Sequence, residues 1–207
     1  AKFYTDEKNA QIVIALMKAY GIKKVIANPG STNIPFLGSL QNDPYFEIYS
    51  CVDERSAAYM ACGFGGEKRG TLVFPVVLTC TGATASRNYI PALTEAYYKN
   101  LPIVAITAAL HRGRIGQNIP QIIDRTVQLN DIVKKSIQVY TIYTEEDRWD
   151  CELKVNTAFL ELNHHNGGPV HINLETTYSL DFSVKELPNV RVIKRVCNNE
   201  EFPKLNH

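Results

Sequence analysis

Apolar residues recur at helical spacing through residues 5–20, with Val13, Leu16, Met17 and Tyr20 on one face. Thr5 or Asp6 supplies a cap, acidic residues stand in the first turn, and Gly21 supplies a left-handed stop. The period then shortens. Residues 24–27 and 46–51 read as buried strands, residues 56–64 as a helix of small side chains ended by Gly65 and Gly66, and residues 71–79 as a third strand. A helix over 85–98 and a strand over 101–107 follow. The stretch 108–130 reads as a loop and then a short helix around 122–129. Residues 132–140 read as a strand, alone or after a helical turn, and residues 144–163 as a helix with its acids early. Gly167, Gly168 and Pro169 lead into a strand over 170–174. Alternation of strand and helix on this scale predicts βαβ units, hence an α/β fold: three layers, α/β/α, around a mostly parallel sheet of about six strands with right-handed crossovers. After Glu175 the pattern loosens. Residues 190–196 allow one more strand and residues 197–207 are polar, so the expected domain is 1–177, with 178–207 a linker toward a following domain.

Composition narrows the function classes. The 207 residues suit one domain, and hydrophobic and charged fractions of 45% and 21% are ordinary for a globular chain. Lys and Arg number 22 against 21 Asp and Glu, so the basic excess of a nucleic-acid binder is missing. The longest apolar run, 72–78, is far too short to cross a membrane and contains Pro75. Five cysteines, none in a Cys-x-x-Cys pair, favour a reducing compartment, so a cytoplasmic protein is expected. The five histidines show no ligand spacing, and no metal site is expected on this chain.

An open parallel sheet binds ligands at the carboxyl ends of its strands. The segments predicted there are Asn28-Pro29-Gly30-Ser31-Thr32-Asn33, Cys51-Val52-Asp53-Glu54-Arg55, Thr79-Cys80-Thr81-Gly82-Ala83-Thr84 and Thr107-Ala108. Any βα loop is polar, because its backbone must be solvated or capped. The pair Asp53 and Glu54 goes further: both stand where a helix dipole stabilises negative charge, yet one cap needs one acid. Two readings stay open, capping acids or a site that the small residues Ala57 and Ala58 let a ligand approach. The glycine segments match neither the P-loop nor the dinucleotide fingerprint, and no serine lies in a nucleophile elbow. Arg112 and Arg114 are solvated loop charges or a carboxylate clamp.

Four stretches in order carry a resemblance: Val52-Asp53-Glu54-Arg55-Ser56-Ala57-Ala58-Tyr59; residues 78–93, with Thr81-Gly82-Ala83-Thr84 and Asn88-Tyr89-Ile90-Pro91-Ala92; residues 101–107; and Gly168-Pro169-Val170-His171-Ile172-Asn173-Leu174. Together they resemble the pyrimidine-binding (PYR) domain of thiamine diphosphate enzymes, over about residues 5–175. Within that family they look most like the menaquinone-pathway 2-succinyl-5-enolpyruvyl-6-hydroxy-3-cyclohexene-1-carboxylate synthase. That branch carries Pro-Gly-Ser-Arg-Ser where this chain has Pro29-Gly30-Ser31-Thr32-Asn33, and Ser-Gly in place of Gly82-Ala83. The resemblance implies a transferase or lyase, a 2-oxo acid decarboxylase or carboligase. It implies Glu54 as the catalytic acid against the aminopyrimidine, with Pro29, Gly30, Ser31, Thr81, Gly82, Ala83 and Asn88 around the cofactor, and Thr32, Asn33, Arg112 and Gln121 facing substrate. Family members hold diphosphate and Mg²⁺ on a second domain marked by Gly-Asp-Gly, which these residues lack. The partners implied are therefore a diphosphate-binding domain and a second PYR domain, in a homodimer or tetramer. The isolated chain is expected to be inactive. Alternatives are the PYR subunit of a split phosphonopyruvate or sulfopyruvate decarboxylase, an acetolactate-synthase-like enzyme, or a non-catalytic α/β assembly module.

Overall fold

The computed structural model describes residues 3–69 and 72–195. The helices are α1 (Lys8–Ala19), α2 (Ile34–Gln41), α3 (Glu54–Gly65), α4 (Thr84–Arg87), α5 (Ile90–Tyr98) and α6 (Glu145–Glu161). The strands are β1 (Lys24–Ala27), β2 (Glu47–Ser50), β3 (Lys68–Arg69), β4 (Leu72–Val73), β5 (Val76–Cys80), β6 (Ile103–Ala109), β7 (Lys135–Val139) and β8 (Val170–Glu175). Six of them form one sheet in the order β2-β1-β5-β6-β8-β7, and every pairing in it is parallel. β3 and β4 make a small antiparallel hairpin of their own.

Parallel strands buried on both faces explain the near-continuous apolar runs. Val25, Val77, Val104, Ile106 and Ile172 face one way, into a core with Leu16 and Met17 of α1 and Val155 and Phe159 of α6. Ile26, Val76, Leu78, Ile103 and Ala105 face the other, against Ala57, Ala58 and Ala61 of α3 and Ala92, Leu93 and Ala96 of α5. The small face of α3 lets the helix lie close on the sheet. α2 and α5, which follow β1 and β5, pack on opposite faces, so the crevice between these neighbouring strands is the topological switch point where α/β sheets take ligands.

Several boundaries differ from the sequence reading, each for a local reason. The N-cap of α1 is Glu7, not Thr5 or Asp6, and no acid occupies its first turn. The Glu7 carboxylate instead accepts from the Thr176 hydroxyl (2.8 Å), the Thr177 amide (2.8 Å) and the Thr177 hydroxyl (2.9 Å), tying the start of the chain to the end of β8. Gly21 does stop the helix, at φ 72°. The expected strand over 71–79 begins at Val76, after Pro75, with β4 separate from it. The helix expected over 85–98 is interrupted at Asn88 and Tyr89, with Pro91 in the first turn of its second part, a position where proline's missing N–H costs nothing. No helix forms over 122–129, where Asp124 folds back in a turn, its Oδ1 accepting from the amide (2.8 Å) and hydroxyl (2.6 Å) of Thr126. Thr144 caps α6 in a reciprocal capping box with Asp147.

Residues 178–195 run back along the body. Tyr4 and Val184 exchange backbone hydrogen bonds of 2.7 and 3.2 Å, and the carboxamide of Asn156 donates to Arg191 O and accepts from Ile193 N, both at 2.8 Å. Val184, Leu187 and Val190 pack on the core, but residues 190–195 form no strand. Residues 196–207, which complete that expected strand and the polar tail, lie outside the described residues. No helix among the described residues is long and apolar enough to cross a membrane.

Candidate functional site

At the carboxyl edge of β1 the chain is locked by one asparagine. Asn28, 1% exposed, donates through Nδ2 to Cys51 O at the end of β2 (2.6 Å) and accepts at Oδ1 from the Tyr89 hydroxyl (2.7 Å). Its amide also bonds Thr79 O of β5 (2.9 Å). Three strand ends and the start of α5 are thus held in register by one buried residue, its side chain and its amide together, and the segment carrying Asp53 and Glu54 follows directly on Cys51. The two acids then divide their roles. Asp53 is the N-cap of α3, and its Oδ1 accepts from Ser56 N at 2.7 Å. Hydrogen bonding from Ser56, its side chain first and then its amide, holds the Asp53 carboxyl below the usual carboxylate range. Glu54, the first residue of the helix, is half-buried and makes no hydrogen bond or ion pair among the described residues. Its charge still reaches the end of β5. The Cys80 thiol is pushed up to about 12, chiefly by burial, with the Glu54 carboxylate adding to it. The Tyr89 hydroxyl is raised by burial first and then, in smaller part, by Cys80 and Glu54.

The loops after β1 and β5 are clasped together at the switch point. Gly30 lies so close to Thr81 that a Cβ there would stand 2.5 Å from the threonine Cβ, so only glycine fits. The Thr32 and Thr81 hydroxyls are hydrogen-bonded to each other, and Gly82 N donates to Thr32 Oγ1 at 3.0 Å. Asn33 is 1% exposed and its carboxamide is used inside the chain, accepting from Thr79 Oγ1 (3.1 Å) and donating to Asn28 O (3.4 Å). It was expected to face substrate; it shapes the loop instead. Pro29 and Ser31 are exposed at the crevice mouth and Gly30 is half-buried. Ala83 is buried in a left-handed conformation at φ 54°, and its carbonyl accepts from Ser86 Oγ at 2.7 Å. Asn88 is half-buried at the end of α4.

Beyond this clasp, over the ends of β6, β8 and β7, lies a cavity of about 60 Å³. It brings together four residues singled out from the sequence, Thr32, Gly82, Arg112 and Gln121. Glu54, Pro29, Gly30, Ser31, Asn33, Thr81, Ala83 and Asn88 are not among its lining. Other polar lining residues were not singled out as site residues from the sequence, among them Arg125, Gln138, Tyr140, Asn173 and Glu175. A signal for some of them existed. Ser136 and Gln138 in β7, and His171, Asn173 and Glu175 in β8, alternate with apolar residues, and the parallel register puts Ser136 beside His171 and Gln138 beside Asn173. This stripe is hydrogen-bonded throughout: Asn173 Nδ2 to Gln138 Oε1 (2.6 Å), Thr107 Oγ1 to Asn173 Oδ1 (3.0 Å), and His171 between Thr107 and Ser136 at 2.8 Å each. Burial pushes the imidazole down to about 3, with the Arg125 and Arg87 charges adding to it, so His171 is neutral. Among the described residues no group of His, Cys, Asp or Glu is arranged to hold a metal ion.

A match to the family model described as thiamine pyrophosphate enzyme, N-terminal TPP binding domain, spans residues 7–129. The 2-succinyl-5-enolpyruvyl-6-hydroxy-3-cyclohexene-1-carboxylate synthase of Bacteroides thetaiotaomicron is 44% identical over 196 residues, which cover 93% of this chain and 34% of that protein. The chain therefore spans about a third of the length of the curated relatives it matches. Among solved structures, a thiamine diphosphate-dependent 4-hydroxybenzoylformate decarboxylase from Rhodococcus jostii superposes with a TM-score of 0.63 at 25% identity, covering 81% of this chain and 30% of its own. A benzoylformate decarboxylase from Polynucleobacter necessarius shares the fold, with a TM-score of 0.67 at 21% identity over 92% of this chain and 33% of its own. With its six-stranded parallel sheet, its switch-point crevice and the family match over residues 7–129, this chain belongs to the thiamine pyrophosphate enzymes as their N-terminal TPP-binding domain.

Proposed function

We propose that this chain is the pyrimidine-binding part of a thiamine diphosphate-dependent 2-oxo acid decarboxylase or carboligase of the menaquinone-pathway synthase type. The observation that carries the reading is the uncommitted carboxylate of Glu54 beside a capping acid that is fully engaged. A helix terminus needs one acid, and Asp53 supplies it, so Glu54 is free for a ligand. Small residues along the neighbouring strand ends, Cys51, Gly82 and Ala83, leave a flat ring room to approach. The residues present therefore fit the cofactor's pyrimidine. When bound, thiamine diphosphate supplies the electron sink for carbanion chemistry beside a carbonyl. Glu54 would share a proton with the pyrimidine ring nitrogen. The Asn28–Tyr89–Cys51 lock keeps the acid in place while the proton moves. Pro29, Gly30, Ser31, Thr81, Gly82, Ala83 and Asn88 wall the cofactor, and Thr32, Arg112 and Gln121 face the 2-oxo acid. General acid–base help of this kind is worth ~10²–10⁴ in rate.

Diphosphate and Mg²⁺ belong to a second domain, and a second copy of the PYR domain to the assembly, in a cytoplasmic homo-oligomer. Residues 1–177 form the PYR domain, with 178–207 as the connection onward. The test is an assay of the complete enzyme with thiamine diphosphate, Mg²⁺ and a panel of 2-oxo acids, including 2-oxoglutarate with isochorismate. Cofactor-dependent consumption of a 2-oxo acid is expected; no consumption of any member, with the cofactor bound, would contradict the reading.

A further inference from the structure

The cavity over β6, β8 and β7 carries an unbalanced charge. Two guanidinium groups, Arg112 and Arg125, line it against one carboxylate, Glu175. Glu175 is satisfied by neutral donors: the hydroxyl (2.8 Å) and amide (3.3 Å) of Thr141 and the backbone amide of Arg112 (3.3 Å). Neither arginine forms an ion pair among the described residues. Arg112 lies over the Tyr140 ring at 4.5 Å. Arg125 is 3% exposed, and a cation so deep is costly unless something answers its charge. Burial pulls it down to about 10.

Its partners hold it without neutralising it. Nε donates to Asn173 Oδ1 (3.0 Å), Nη1 to Ser86 Oγ (3.3 Å) and Nη2 to Ala108 O (2.6 Å). A guanidinium has five N–H groups, so two are left over, and Arg125 is on the cavity's lining. The backbone of Arg125 is fixed as well: its carbonyl accepts from Gln128 Nε2 (2.8 Å) and Gln138 Nε2 (3.3 Å), next to the Asp124 turn. The group is pre-organised in a dry wall. The loop 29–33, where the resembled branch carries an arginine, has no charged residue here. Any cation that this chain itself offers to an acidic substrate therefore comes from another loop.

We propose that Arg125 is a substrate-binding residue, gripping the carboxylate of a small 2-oxo acid through its free N–H groups, with Arg112 closing over the same carboxylate from the rim. A planar fork matches a carboxylate in two parallel hydrogen bonds, and about 60 Å³ holds that group with a short carbon stem. The neutral wall, with Ile122, Val139 and Tyr140, suits the rest of a small ligand. The inference rests on reading this cleft as the substrate side of the enzyme, and its test needs no turnover.

The experiment is an amide NMR titration of the 207-residue chain with pyruvate, with its neutral isostere pyruvamide, and with inorganic phosphate. Pyruvate is expected to shift Gly82 and Gln121 at least about tenfold more tightly than pyruvamide, as loss of a charge-assisted hydrogen bond dictates. Arg125→Gln weakens pyruvate by a similar factor, Arg125→Lys by less, and Arg112→Gln weakens it while leaving the fold untouched. Equal binding of pyruvate and pyruvamide, unchanged binding by either glutamine variant, tighter binding of phosphate than of pyruvate, shifts confined to other surfaces, or no shift at all would each overturn it. Should Arg125→Gln unfold, the pyruvate-to-pyruvamide ratio and Arg112→Gln decide the matter. A chain that ignores pyruvate within an enzyme that turns over loses the anchor and keeps the proposed function; a chain that grips pyruvate within an enzyme that needs no thiamine diphosphate does the reverse.

Discussion

The two halves of the sheet's carboxyl edge treat charge in opposite ways. Over β2, β1 and β5 a tight neutral lock, Asn28 with Tyr89 and Cys51, precedes an acid, Glu54, whose carboxylate has no partner among the described residues. Over β6, β8 and β7 a buried cation, Arg125, donates hydrogen bonds to neutral acceptors on Asn173, Ser86 and Ala108. The acid stands at a helix terminus, half open to whatever enters. The cation sits deep, where removing it disturbs the fold. One half leaves its charged group half-buried at a helix start; the other fixes its charge in buried hydrogen bonds. Acid–base work and recognition ask for these different arrangements.

The contrast can be broken first at the cation. Arg125→Leu takes the side-chain donor from Ala108 O and leaves Asn173 Oδ1 only the Thr107 hydroxyl, and the unfolding free energy should fall by roughly 3 kcal/mol in a urea titration. A loss under ~0.5 kcal/mol would mean the guanidinium carries no weight in that wall. The pH dependence comes next. His171 is held well below its ordinary value, at about 3, so the unfolded chain takes up its proton first. The stability contributed by the neutral ring is therefore full above about pH 6.5 and is lost as pH falls from there toward 3. His171→Gln should flatten the stability profile across that window, as followed by thermal melts at stepped pH. The smallest effect is expected at the cap: Asp53→Ala should lower the melting temperature by about 2–4 °C, because Ser56 N loses its acceptor.

Much of this fold was legible in the chain. Residues 24–27 are a strand with the expected bounds, Gly21 stops α1, and the capping residues of α6 stand where a helix start needs them. What the chain hid are places where a long-range contact outweighs local preference. Glu7 is drawn to the end of β8 and takes the cap position from Thr5 and Asp6. The stretch 122–129 reads as a short helix in the sequence, but its four β-branched residues, the Asp124 turn and the burial of Arg125 leave it a loop at the cavity. In the site, Asp53 and Glu54 stood out as an acid too many for one cap. Gln138 and Asn173 did not, because a polar residue in an alternating strand looks solvent-facing until the covering loop is known; Arg125 did not, because it lies in that loop.

The central claim is that Glu54 is a proton-handling group rather than part of the scaffold. Its most direct test is Glu54→Gln in the complete enzyme, with turnover of a 2-oxo acid and the melting temperature measured side by side. The account predicts a turnover loss of about 10²–10⁴ with the melting temperature unchanged to within about 1 °C. Normal turnover by the well-folded variant would contradict it.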